Sequence, residues 1–337
     1  MYNNKVLAIS ALALFLSAVV LFYLYNFFFH SEIENSNLQG TSLIFFNPDE
    51  EKDLLKKYLK NIDLPQTNKE FLIKSLNIKD INSIEIVSKR KNKQYNFNNI
   101  LVNKFTALTN TNLQFSYLEI LNKDSVKISK NVFFINGHSG SAEEVFGIIK
   151  GVTSDPIIEN LLKDDVRIIY MFQYDSYQDD IYLNSILIEA SRAGVTLNGL
   201  EQLKLTSLLK EYKGKKIIFG FSHGSWISLL NSVFNPVDTI ILVDWMVDTD
   251  AIAPNFPNYL YDYDGALDIV YDYQSLLKLS KSSKIIIMLG NKSPYTNKSN
   301  IKLFEKLSFL FDKIEFHIYK GDHYLTKNLA SDISKFY

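Results

Sequence analysis

The sequence predicts an α/β fold: a mostly parallel sheet with helices on both faces, preceded by an apolar N-terminal helix of transmembrane length. Three observations predict it. From Asn131 onward, short apolar runs rich in β-branched residues alternate with longer helical stretches, and strand–helix alternation implies right-handed crossovers and a parallel sheet. The runs are continuously apolar rather than alternating, as expected of strands buried on both faces. Val6 to Phe29 (VLAISALALFLSAVVLFYLYNFFF) contains no charged residue.

Composition narrows the function classes. The chain has 337 residues, of which 47% are hydrophobic and 14% aromatic, too apolar for a disordered protein. A net charge of −1 argues against a nucleic-acid partner recognised by bulk charge. The absence of cysteine excludes a disulfide scaffold, a Cys-ligated metal, a Cys nucleophile and a lipoprotein anchor.

Residues 1–30 are expected to form a transmembrane anchor. A helix over Val6–Phe29 spans roughly 36 Å, enough for a ~30 Å hydrocarbon core. Its end at Tyr23, Tyr25 and Phe27 to Phe29 suits an interfacial belt and not a signal-peptidase site. Lys5 precedes the run and Glu32 and Glu34 follow it. The positive-inside rule then places the N-terminus in the cytoplasm and the remainder lumenal or extracellular, in a eukaryote most simply the endoplasmic reticulum. Residues 31–40 read as a polar linker, and 41–337 as one domain.

Within 41–125 the expectation is an antiparallel edge with helices. Glu50–Asn61 and Phe71–Ile78 have helical spacing, and Ile84–Val87, Ile100–Val102 and Leu113–Leu121 read as strands. The basic run Lys89-Arg90-Lys91-Asn92-Lys93 is expected in a solvated turn between two of them. The later strands are expected at Val132–Ile135, Arg167–Phe172, Lys216–Phe219, Thr239–Val243, Lys284–Leu289 and Lys313–Ile318. Asn291-Lys292-Ser293 and Asn297-Lys298-Ser299 match the glycosylation sequon.

Three features fall at strand ends, where parallel α/β sheets gather reactive residues. Gly220-Phe221-Ser222-His223-Gly224 follows the run KKIIF and precedes an apolar helix over Trp226–Leu230. This is a G-x-S-x-G elbow in the strand–turn–helix context it requires, with Ser222 as candidate nucleophile and Gly220 and Gly224 where a Cβ would obstruct the turn. Asn136-Gly137-His138-Ser139-Gly140-Ser141 follows VFFI. Its His138 amide, with the His223 amide after the nucleophile, is the candidate oxyanion hole. Gly321-Asp322-His323 lies between the last strand and a terminal helix over Leu325–Phe336. Of the five histidines, His323 alone occupies the loop expected of a base that takes a proton from serine. The acid is expected at Asp244, which ends the run Thr239–Val243, with Asp248 as the alternative. Gly290-Asn291-Lys292-Ser293, after the penultimate strand, offers no carboxylate, although Asn291 could orient a histidine without charge. The constellation calls for no cofactor and no metal. Ile252–Ala266 (IAPNFPNYLYDYDGA) reads as a surface excursion and a candidate lid or acyl-pocket segment.

The elbow, the Asn-Gly-His-Ser-Gly-Ser turn and the late Gly-Asp-His together resemble the α/β-hydrolase superfamily over residues 130–337. More narrowly, VFFINGHSGSAEEVFGI at 132–148 resembles the first core motif of GPI inositol-deacylases, which also carry an N-terminal membrane helix and a lumenal hydrolase domain. The resemblance implies a membrane-anchored serine esterase or lipase acting on a lipid or other acyl ester. Two other outcomes use the same sequence: an inactive hydrolase fold kept as a scaffold or binding protein, and an acyltransferase with the same residues.

Overall fold

The continuous apolar runs become strands because both of their faces are covered. The computed structural model describes residues 81–97, 99–137, 158–172, 197–244, 273–294, 296 and 298–337, with Ile73, Leu76 and Ile78 before them. All fall in the unit of residues 52–337. The expected membrane segment, the linker, the helix over Glu50–Asn61 and the excursion Ile252–Ala266 lie outside these residues. Among the described residues, no helix is long and apolar enough to cross a membrane.

Among the described residues, nine strands form one sheet: β1 (Ile86–Phe97), β2 (Ile100–Thr109), β3 (Gln114–Asn122), β4 (Lys130–Ile135), β5 (Val166–Met171), β6 (Lys215–Phe221), β7 (Thr239–Val243), β8 (Lys284–Gly290) and β9 (Ile314–Tyr319). Their order is β1-β2-β3-β5-β4-β6-β7-β8-β9. β1, β2 and β3 form an antiparallel meander, and β3 also runs antiparallel to β5. Every pair from β5 to β9 is parallel.

The described helices are α1 (Ile158–Leu161), α2 (Leu197–Glu211), α3 (His223–Phe234), α4 (Tyr273–Leu279), α5 (Lys298–Leu310) and α6 (Lys327–Ile333), with a closing 3₁₀ turn at Ser334–Phe336. They divide between two apolar layers, and the strands alternate between them with the two-residue period of the pleat. Phe133, Ile135, Ile218, Ile240, Leu242, Ile285 and Ile287 face the layer that holds Leu205 of α2, Ile227 of α3, Leu276 of α4 and Phe304 of α5. Val132, Phe134, Ile217, Phe219, Ile241, Val243 and Ile286 face Leu161 of α1 and Leu329 and Ile333 of α6. Every residue of β7 is buried, which explains why its sequence shows no alternation.

The basic run does not form a turn. Lys89 to Lys93 lie inside β1, which pairs with β2 and runs on to Phe97, opposite Ile100. The strand is the sheet edge, so polar side chains stay solvated there, and Lys89 reaches Glu211 of α2 at 2.7 Å. The register shifts between Lys91 and Lys93. An irregularity flanked by lysines is how an exposed edge resists pairing with other chains. The helix after the elbow is longer than Trp226–Leu230, running from His223 to Phe234. The terminal helix is shorter than Leu325–Phe336, because Thr326 caps it by accepting the Leu329 N–H.

Because β6 to β9 are parallel, their carboxyl ends lie along one rim. That rim carries Ser222, Asp244, the Gly290–Asn291 turn and the loop Gly321–His323.

Candidate active site

Ser222 occupies a single-residue corner between β6 and α3, with φ 54° and ψ −121°. A non-glycine residue with positive φ is held there by its surroundings. Two glycines make the corner possible. A Cβ on Gly224 would lie 2.1 Å from the Ile135 carbonyl oxygen, and one on Gly220 would lie 2.3 Å from the Gly224 carbonyl oxygen. Both obstructions are backbone and cannot yield. The corner is also tied to β7. The Ser222 N–H donates to the Val243 carbonyl at 2.8 Å. Ser225 Oγ lies 2.7 Å from the Gly220 carbonyl oxygen and accepts the Val243 N–H at 3.0 Å.

The structure brings Ser222, His323 and Asp244 together across 101 residues of sequence. His323 Nε2 is 3.1 Å from Ser222 Oγ, and His323 Nδ1 is 3.3 Å from Asp244 Oδ2. The imidazole stacks on Phe221, with ring centroids 4.9 Å apart and planes inclined by 26°. Solvent access grades across the three: the Asp244 side chain is fully buried and that of His323 is 22% exposed. Ser222 sits at the edge of burial, 9% exposed.

Asp244 follows β7 directly, at φ 48°, and its N–H donates to the Met288 carbonyl at 2.8 Å. Its Oδ1 accepts the Gly290 N–H at 2.8 Å. Its Oδ2 accepts the Tyr319 hydroxyl at 2.5 Å. A buried carboxylate needs such donors to stay ionised. Burial, and then the charge of Asp244, push the Tyr319 phenol far above the ordinary tyrosine range, so Tyr319 remains a donor. The turn after β8, which lacks a carboxylate, contributes a backbone donor to Asp244 instead.

Asn291 does not take the acid's place at the imidazole. Its Oδ1 accepts the Gly321 N–H at 3.1 Å, and the Lys292 N–H donates to the Gly321 carbonyl at 2.9 Å. These bonds hold the loop that carries His323, whose own N–H donates to Asp322 Oδ1 at 2.7 Å.

Of the two expected oxyanion amides, His223 opens α3, where helix N–H groups lack intrahelical acceptors and the dipole favours negative charge. His138 lies outside the described residues, as does Asp248. Gly137, just before His138, is close enough to the corner that a Cβ there would lie 3.0 Å from Ser222 Cβ.

Sequence reasoning missed four contributors: Tyr319, Phe221, Ser225 and the Gly290 N–H. Phe221 and Ser225 are inside or beside the motif, but their roles depend on which strand lies next to β6. Tyr319 carries a weak signal, an aromatic at the strand end four residues before His323. The arrangement places an imidazole nitrogen at the serine hydroxyl, with a buried carboxyl group facing the other ring nitrogen.

No protein-family profile matches the chain, and no curated protein matches it. Solved structures do. An assigned acetyl xylan esterase from Bacteroides fragilis superposes with a TM-score of 0.52 at 11% identity, covering 89% of this chain and 87% of that one. A cold-adapted esterase from an Arctic intertidal metagenomic library gives 0.49 at 12% identity, over 73% and 98%. Acetyl xylan esterase 1 from Thermoanaerobacterium gives 0.48 at 11% identity, over 83% and 96%. At such identities the first likeness speaks for architecture, in agreement with the strand order and the elbow: the chain has the α/β-hydrolase fold.

Proposed function

We propose that this chain is a serine hydrolase that cleaves a carboxylic ester. One observation carries the reading: Ser222 Oγ lies 3.1 Å from His323 Nε2, while Asp244 faces the opposite ring nitrogen. Serine is a weak nucleophile without a base to take its proton, and the base needs its second nitrogen held in the N–H form. In this reading Ser222 Oγ attacks the acyl carbon as its proton passes to His323 Nε2. Asp244 stabilises the resulting imidazolium and is not itself protonated. The negative carbonyl oxygen is received by the His223 amide at the start of α3, with the His138 amide as the second donor expected from the sequence. As the tetrahedral intermediate collapses, His323 returns the proton to the departing alkoxide, which leaves as an alcohol. Water then gives a proton to His323 and attacks the acyl-enzyme. Collapse of that second intermediate releases the carboxylic acid and restores Ser222.

The absence of a carboxylate after the penultimate strand favours an inactive scaffold only while no other acid reaches the histidine. Asp244 meets that requirement from one strand earlier.

The substrate is proposed to be a lipid ester, as in a GPI inositol-deacylase, with the chain anchored through residues 6–29 and the hydrolase domain lumenal or extracellular. Two sequence features support this: the uncharged N-terminal run, and the resemblance of residues 132–148 to the deacylase motif.

A fluorophosphonate probe tests the chemistry. Labelling of the folded protein that disappears in Ser222→Ala is the expected result, and no labelling of wild type would overturn it. Turnover of long-chain acyl esters in vesicles, exceeding that of a short soluble ester, is the result expected for a lipid substrate. Preference for the short ester would overturn that part alone.

A further inference from the structure

We infer that Tyr319 is a positioning residue of this site, a wedge that fixes the acid and the base loop relative to each other. The inference rests on the hydrolase reading. Its starting point is that Asp244 leaves β7 while His323 arrives from the loop after β9, with β8 between them. Something must set the distance between two groups carried by non-adjacent strands.

Tyr319 ends β9 and reaches back across β8. Its hydroxyl lies 2.5 Å from Asp244 Oδ2, the same oxygen that faces His323 Nδ1. It also lies 3.1 Å from the carbonyl oxygen of Asp322, the residue just before His323. A phenol has a single proton to donate. The charged, shorter acceptor takes the larger share, and the Asp322 carbonyl is held on the same hydroxyl. One hydroxyl therefore touches the acid and the backbone that carries the base.

The ring contributes a second, independent observation. A Cβ on Gly290 would come 2.9 Å from Tyr319 Cζ, and one on Gly321 would come 2.8 Å from Tyr319 Cε2. The ring fills the space between these two turns, and both glycines leave room for it. The Gly290 N–H holds the other carboxylate oxygen. The Asp244 carboxylate is thus gripped at Oδ1 by the turn that Tyr319 leans on, and at Oδ2 by Tyr319 itself. Its plane is set before His323 meets it. Tyr319 touches neither Ser222 nor the acyl group, so it acts through Asp244 and the His323 loop.

Tyr319→Phe keeps the ring and deletes the hydroxyl. The expected result is a kcat lower by about tenfold to a hundredfold, the scale of a small misplacement in a catalytic group, with KM little changed. The downfield proton resonance of the His323 Nδ1–H···Asp244 contact is expected to shift or broaden beyond detection. Gly321→Ala places a Cβ 2.8 Å from Tyr319 Cε2, so it presses on the ring and is expected to give the same split between kcat and KM. It keeps the question answerable if the first variant folds poorly. Wild type that carries the fluorophosphonate label, together with a Tyr319→Phe variant of unchanged kcat and unchanged resonance, overturns this inference alone. Wild type that takes no label overturns the hydrolase reading, and this inference with it.

Discussion

Asp244→Asn removes one charge and almost no volume, so its effect can be worked out from the donors around it. Oδ1 receives the Gly290 N–H, and Oδ2 receives the Tyr319 hydroxyl and faces His323 Nδ1. Every neighbour is a donor, whereas an asparagine amide has only one acceptor end. With its NH₂ toward Gly290, two N–H groups oppose each other in a fully buried site. With its NH₂ toward His323, it meets the Tyr319 hydroxyl and favours the wrong imidazole tautomer. A buried polar group left without a partner costs about 1–3 kcal/mol, so the variant is expected to melt several degrees lower. The corresponding Asp→Asn change in a serine protease lowers kcat about 10⁴-fold through the wrong tautomer. A loss on the order of 10³–10⁴-fold is therefore expected here, because the amide can satisfy at most one side. The assay is turnover of a chromogenic ester by wild type, Asp244→Asn and Asp248→Asn, alongside thermal denaturation. An Asp244→Asn enzyme with wild-type turnover, or an Asp248→Asn enzyme with the larger loss, would refute the assignment of the acid.

Gly224→Ala places a Cβ 2.1 Å from the Ile135 carbonyl oxygen. It is expected to cost on the order of 4 kcal/mol, since the obstruction is strand backbone, and urea denaturation reads the loss. Ser222→Gly and Ser222→Ala both lose the hydroxyl, but only glycine accepts φ 54° without strain. The glycine variant is expected to be the more stable by about 1 kcal/mol, and equal melting temperatures would show the corner to be unstrained. The Tyr212 hydroxyl meets that of Tyr117 at 3.0 Å in the core. Replacing either tyrosine by Phe is expected to cost about 1–3 kcal/mol by stranding the other hydroxyl, and replacing both is expected to cost less than the sum.

Much of the sheet was legible because burial on both faces writes itself into composition. Thr239–Val243 is β7 without correction, and the other parallel strands fall within a residue or two of their apolar runs. The first strand reads too short for the opposite reason. Lys89, Arg90, Lys91 and Lys93 sit in β1 because Ala107, Thr106, Phe105 and Lys104 pair with them. At a sheet edge, membership is decided by the partner strand and leaves no apolar signature. The elbow was legible because its two glycines answer to backbone collisions, which permit almost no other residue.

The sequence by itself determined the parallel α/β architecture, the strained serine corner and the loop where a histidine could meet it. These depend on local chemistry: apolar runs, glycines at a tight turn, and a histidine beyond a strand end. The sequence offered Asp244 first and Asp248 second as the acid, and only the tertiary structure shows Asp244 facing that histidine. Asp244 and His323 are separated by β8, and their 3.3 Å approach follows from strand order and side-chain reach, which no spacing along the chain encodes. The same holds for Tyr319. A tyrosine at a strand end is ordinary in sequence. It becomes a clamp because parallel strands bring their carboxyl ends to one rim, where its hydroxyl can span a neighbouring strand and reach the acid.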